Sequence, residues 1–232
     1  MQEMQASVVY WLSANYRASG AAVAMDESPA DVMRKAMNKL VKRWKRRFDD
    51  MAQKLADRFA NDTMKNADAS LATAFKDAGF TVEFKMTSQM NNALQATIAE
   101  NVGLIRSIPE KYFTEVEGLV MRSVARGRDL SYLTDELEKR YGISRRRAAF
   151  IARDQNNKAT SVVQSARQQA LGITQGIWKH SHAGKEPRPS HVKADGKVFE
   201  LSKGMYLDGK WVMPGEEINC RCTWSPVIPG LS

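Results

Sequence analysis

Cysteine is nearly absent. The 232-residue chain has two, Cys220 and Cys222, one residue apart. A bridge between them would close a very small, strained ring, so a disulfide framework is excluded. No apolar run approaches the ~18 residues needed to span a bilayer. The first apolar cluster, Val8 to Leu12, is short and has no basic segment before it, so no signal peptide is expected. Glycine-rich phosphate loops, nucleophile elbows and His-Glu-x-x-His helices are also missing. Histidine is scarce, with only His180, His182 and His191. Proline is scarce up to residue 172, where only Pro29 and Pro109 occur.

What remains is ordinary in bulk and uneven along the chain. Hydrophobic residues make up 43% and charged residues 26%, enough to build packed cores. The formal net charge is +9, which favours polyanions or acidic protein surfaces. Residues 1 to about 172 are rich in Ala, Gln, Met, Lys and Arg; residues 173–232 hold five prolines, every histidine and both cysteines. The expected class is α+β: long N-terminal helices followed by a small C-terminal α+β module with short antiparallel strands. The expected boundary divides a helical region, 1–143, from a C-terminal module, 144–232.

The clearest helix starts at Ser28, a capping residue, with Pro29 at the first helical position and Asp31 in the first turn. Apolar residues recur at Met33, Met37, Leu40, Trp44, Phe48, Met51, Leu55 and Phe59, an eleven-residue repeat that keeps a helix nearly straight. The pattern runs on loosely through Met64, Leu71 and Phe75, and Gly79 is the expected stop. Such a helix needs partner helices or a partner protein, and association of several chains through the long helices is left open. Residues 80–86 alternate like a short strand, with an extended linker as the equal alternative. Further helices are expected at about 88–106, 110–126, 129–141 and 144–171, separated at Pro109, Gly127 and Gly142.

Two basic clusters fall in the helical part. Eight basic residues and no acid lie between Asp31 and Asp49; a second group lies between Glu138 and Asp154. Lys42, Arg43, Lys45, Arg46, Arg145, Arg146 and Arg147 are the candidates for contacting double-stranded DNA through phosphates, without sequence preference. A solvated helix face is the other reading, and for the first cluster the preferred one. No aromatics interleave with these residues, so single-strand stacking has little support.

In the C-terminal part, His191 and Asp195 suggest a base with an orienting carboxylate, and Glu216 and Glu217 add acids nearby. A histidine that fixes a turn is the preferred reading. In a strand, Cys220 and Cys222 would face the same side, so with one histidine they could hold zinc. The spacing is not the usual structural one, and buried structural thiols are preferred. No metal or cofactor is therefore assigned. Asp195-Gly196, between Val192 and Val198-Phe199, and Asp208-Gly209, before Trp211, are hairpin signals. Arg188 and Arg221 could pair with Asp195, Glu216 or Glu217 and pin a small sheet whose thin core needs polar staples.

Read in order, the C-terminal part contains Arg153-Asp154-Gln155, Ala170-Leu171-Gly172-Ile173, Trp178, Arg188-Pro189-Ser190-His191, Asp195-Gly196-Lys197-Val198-Phe199, Pro214-Gly215 and Asn219-Cys220-Arg221-Cys222. This ordered set, over about 145–228, resembles the Mu F-like family of tailed-phage minor head proteins. Trp178, Arg188, His191, Asp195, Gly196, Pro214, Asn219, Cys220, Arg221 and Cys222 carry the resemblance. One departure is that many relatives have an acid soon after the tryptophan, where this chain runs from His180 to Pro187, with Glu186 displaced. The resemblance implies a virion protein inside the head, made in the host cytoplasm. It implies association with the portal or other head proteins and with packaged DNA, and a part in assembly or genome delivery. It implies no catalysis. Two rivals stand beside it: a small nuclease or transferase using His191, Asp195 and Arg188, and a zinc-stapled binding module. Some relatives are fused to toxin domains, and the chain's end at Ser232 leaves no room for one.

Overall fold

A computed structural model describes the chain except for residues 22–27, 78, 80, 127–128, 184 and 229–232. Four long helices come first: α1 (Gln2–Ala21), α2 (Pro29–Asp77), α3 (Ser88–Ala125) and α4 (Leu130–Ala170). Then follow β1 (Gln175–Lys179), α5 (Pro189–Ala194), β2 (Val198–Glu200), β3 (Met205–Leu207), β4 (Lys210–Val212) and β5 (Thr223–Pro226). The expected α+β class is what forms. No described helix is long and apolar enough to cross a membrane.

The chain packs as two compact units, one made of residues 1–54 and 102–149, the other of 55–101 and 150–232. In the first unit, α1 presents Met4, Val8, Leu12 and Tyr16, four apart and all buried. They meet Met33, Met37, Leu40, Trp44 and Phe48 of α2 in one core with Tyr112, Phe113 and Leu119 of α3 and Leu133 and Leu137 of α4. Thus residues 2–21, given no element from the sequence, are a helix held by its own apolar stripe. The α2 start matches expectation: the Ser28 hydroxyl accepts the Asp31 N–H at 3.2 Å. Gly79, at φ 85°, follows the helix end.

Two features of α2 and α3 depart from the sequence reading. Beyond Phe48 the buried face of α2 passes to Ala52, Ala56 and Ala60, while Met51 and Leu55 are exposed. The buried positions advance in steps of four here, so the stripe rotates off the eleven-residue repeat. Pro109 and Gly142 also fail to break their helices. An internal proline costs about 3 kcal/mol and a glycine about 1. Burying Tyr112, Phe113 and Val116 just beyond Pro109 offsets that, at roughly 1.5–3 kcal/mol per large side chain.

In the second unit, Trp178, Phe199, Leu201, Val212 and Trp224 form a core with Leu71 and Phe75 of α2. The sheet order is β2-β1-β5, antiparallel throughout, with Trp178 paired to Trp224 and Gly176 to Phe199. Gly176 is required by packing: a Cβ there would sit 2.6 Å from Trp224 Cδ1. A separate hairpin joins β3 and β4. Asp208-Gly209 makes its turn as expected, both residues at positive φ. Asp195-Gly196 does not make a hairpin, because Val192 lies in α5. It links α5 to β2, with Asp195 at φ −55°, ψ 132°, Gly196 at φ 75° and the Lys197 N–H bonded to the Ala194 carbonyl at 3.0 Å. Those are the angles and closing bond of a type II turn. Residues 81–87, one alternative for which was a strand, form none.

Arg167 holds this unit together internally. Its Nε and Nη2 grip both Asp68 oxygens at 2.6 and 2.7 Å, and Nη1 donates to the Lys85 carbonyl at 2.7 Å. The guanidinium also lies 4.9 Å from the Phe84 ring centre.

Candidate functional site

The signature residues converge on the region below Trp178. β1 alternates its side chains, so Gly176 and Trp178 point inward and Trp178 is fully buried. Pro189 opens α5 from an extended Arg188, and the short helix turns His191 inward, to 2% exposure. The His191 ring meets Trp178 edge to face at 5.3 Å. Cys220 and Cys222 lie on the extended segment leading into β5, which itself begins at Thr223, and both thiols are buried.

Two residues of α4 fix that segment. Asp154 Oδ1 accepts the Asn219 N–H at 2.6 Å, which holds Asn219 at φ 59°, and Asn157 Nδ2 donates to the Cys220 carbonyl at 2.7 Å. Pro214 and Gly215 make the preceding turn against α4; a Cβ on Gly215 would lie 3.1 Å from the Asn157 carbonyl. Further along, Gln168 Oε1 accepts the Trp224 indole N–H at 2.7 Å. Asp154 stood in the ordered set without a partner, and Asn157 and Gln168 were given no role from the sequence, since nothing in it pairs a helix residue with a turn some 60 positions later.

His191 Nε2 lies 3.0 Å from Glu217 Oε2, so the carboxylate orients the ring and takes its N–H. Nδ1 then faces the sulfurs, at 3.5 Å from Cys220 Sγ and 3.6 Å from Cys222 Sγ. Glu217 is also joined to Lys210 Nζ at 2.5 Å and Arg188 Nε at 3.5 Å. The Lys210 hydrogen bond does most to hold its carboxyl below the usual range, against burial, with the Arg188 charge adding to it. The Cys220 thiol is pulled below its usual range by the hydrogen bond with Cys222, against burial, and further by the backbone N–H groups of Cys222 and Gly215. Cys222 is pushed up by the same bond and by burial.

His191 and Asp195 do not form the base–carboxylate couple that was the alternative reading. Asp195 accepts the His180 N–H at 2.8 Å and lies 3.4 Å from His182 Nε2, and the His180 bond keeps its carboxyl low. The orienting acid of His191 is Glu217. Arg188 meets Glu217 and the Ile218 carbonyl, whereas Arg221 donates to the Ala183 carbonyl at 2.8 Å and pins no acid among the described residues. A cavity of about 860 Å³ opens over His191, Cys220 and Cys222 and is rimmed by Arg153, Lys185, Arg188 and Arg221.

The other candidates lie in the first unit. Lys42 and Arg46 are exposed. Arg43 stands 6.0 Å from the Trp11 ring centre, and Lys45 pairs with Glu110 at 3.1 Å. Arg145 and Arg146 are exposed and Arg147 is half-buried. Lys45 thus has an acid beside it, while Lys42, Arg46, Arg145 and Arg146 offer open positive charge.

Residues 114–225 match the family model described as Phage Mu protein F like protein, so the chain carries a Mu F-like phage module. The match begins earlier than the motif order alone indicated, within α3. The chain is also similar to an uncharacterised protein of Haemophilus influenzae, 28% identical over 201 residues, or 84% of this chain. It spans only 43% of that relative's length. No solved structure matches.

Proposed function

We propose that the chain is a minor head protein of a tailed phage, residing in the virion head and acting in head morphogenesis through the portal and the packaged DNA. The match of residues 114–225 to the Mu protein F-like family is the observation that carries this reading. The signature residues support a structural rather than an enzymatic role. Trp178 fills the core, Asn219 is tied to Asp154, and Arg188 and Arg221 hold turns through backbone carbonyls. DNA contact falls to the basic residues of α2 and α4. The rival enzyme, built on a His191–Asp195 couple, has no support in the hydrogen bonding.

A duplex-binding titration at several salt concentrations tests the DNA part. Contact with about six phosphates gives a log–log salt slope near −5. Replacing Lys42 and Arg46, or Arg145 and Arg146, with glutamine lowers the slope by roughly 1 for each phosphate no longer neutralised. Salt-independent binding, or no binding at low salt, would exclude that part.

A further inference from the structure

We propose that His191, Cys220 and Cys222 bind one zinc ion through Nδ1 and the two sulfurs, with a fourth coordination position turned to the cationic cavity.

Distance is the first argument. Tetrahedral zinc takes sulfur at about 2.3 Å and imidazole nitrogen at about 2.05 Å, which sets nitrogen and sulfur about 3.5–3.6 Å apart. The two separations here are 3.5 and 3.6 Å. All three ligand atoms lie within 4.8 Å of one another, so one ion can reach each of them.

Hydrogen bonding to Nδ1 accounts for only one of the two close sulfurs. With Nε2 committed to Glu217, Nδ1 has a single in-plane lone pair. Two sulfurs stand at nearly equal distance from it, and only one S–H can use that lone pair. A metal ion satisfies the nitrogen and both sulfurs together.

The surroundings are those of a built metal site. A ligating histidine usually passes its other N–H to a carboxylate, as His191 does to Glu217. The Gly215 N–H points at Cys220 Sγ from 3.4 Å, a bond that stabilises a thiolate. The Cys220 backbone is clamped from α4 by Asn157, and Trp178 packs against the imidazole ring. Two thiolates and an imidazole are soft donors that select zinc over magnesium or calcium. All three ligands border the same cavity, so the side of the ion not covered by protein meets solvent there. That position would be open to water or, given the rim's Arg153, Lys185, Arg188 and Arg221, to an anion.

The test uses the full chain, expressed with zinc and desalted without chelator. Elemental analysis should find one zinc per chain, and C220S/C222S should lose it. Cobalt exchanged into the site should give the visible bands of tetrahedral cobalt and a thiolate charge-transfer band, which H191A weakens and C220S/C222S abolishes. E217Q is the second arm, free of the risk that loss of a ligand unfolds the unit, because it removes no ligand. It should keep one site while lowering zinc affinity by roughly 10–100-fold in a chelator competition. Folded wild-type protein that holds no more zinc after reconstitution than C220S/C222S would overturn the proposal. A cobalt form without the charge-transfer band, or an E217Q affinity equal to wild type, would also overturn it.

Discussion

Arg167→Met should destabilise the unit made of residues 55–101 and 150–232 by about 3 kcal/mol, the low end of what breaking a buried ion pair costs. Arg167 is 3% exposed and satisfies three acceptors at once: both Asp68 oxygens and the Lys85 carbonyl. Methionine keeps much of the volume and the packing against Phe84, so the loss is electrostatic rather than a cavity. The value sits at the low end because Asp68 retains 27% side-chain exposure and can recover some hydration. Arg167→Lys should recover little, because an ammonium cannot grip both oxygens of Asp68 and still reach Lys85 in the planar geometry seen here. Denaturant titration gives the magnitude, and amide exchange locates the effect. Residues 81–87 make no strand, so they should lose protection first. Unchanged stability in Arg167→Met would show that the pair contributes nothing beyond its own desolvation.

Gly204→Ala should cost roughly 2–4 kcal/mol, among the larger effects of a single methyl group. Gly204 stands at φ 82° and bridges to Glu200 at the step from β2 to β3. An added Cβ would lie 2.4 Å from the Val212 carbonyl oxygen and 2.7 Å from its carbon. Both are backbone atoms, so no side chain can swing aside. Gly209→Ala separates the causes. It sits at φ 84° but meets nothing within 4 Å, so only the left-handed conformation is charged, about 1 kcal/mol. Thermal unfolding of the two variants should rank them in that order. Equal losses would mean that the close approach at Gly204 relaxes freely.

How much of this was legible depended on the range of each signal. The α2 start is encoded locally, because Ser28, Pro29 and Asp31 are adjacent and each acts on the same helix end. The Asp208-Gly209 hairpin is equally local. Pro109 and Gly142 misled because their penalties of a few kcal/mol compete with burial that only the tertiary fold reveals. Asp195-Gly196 misled for a related reason. It is a good turn dipeptide, but turn chemistry does not say whether a helix or a strand precedes it. The site was half legible. Its residue types were visible, and same-side placement of Cys220 and Cys222 followed from their spacing. That Glu217 rather than Asp195 would orient His191 depended on the α5 turn. The Asp154–Asn219 staple joins residues 65 positions apart, and a single sequence carries no local trace of such a pair.

The most direct measurement is mass spectrometry of DNA-filled heads purified from cells producing the phage that encodes this chain, compared with heads made without it. A minor head protein predicts peptides of this chain in purified heads at a small, fixed ratio to portal, cross-linked to portal or DNA. It also predicts fewer infectious particles when the chain is absent. Heads that exclude the chain, and assemble and infect normally without it, would contradict the account.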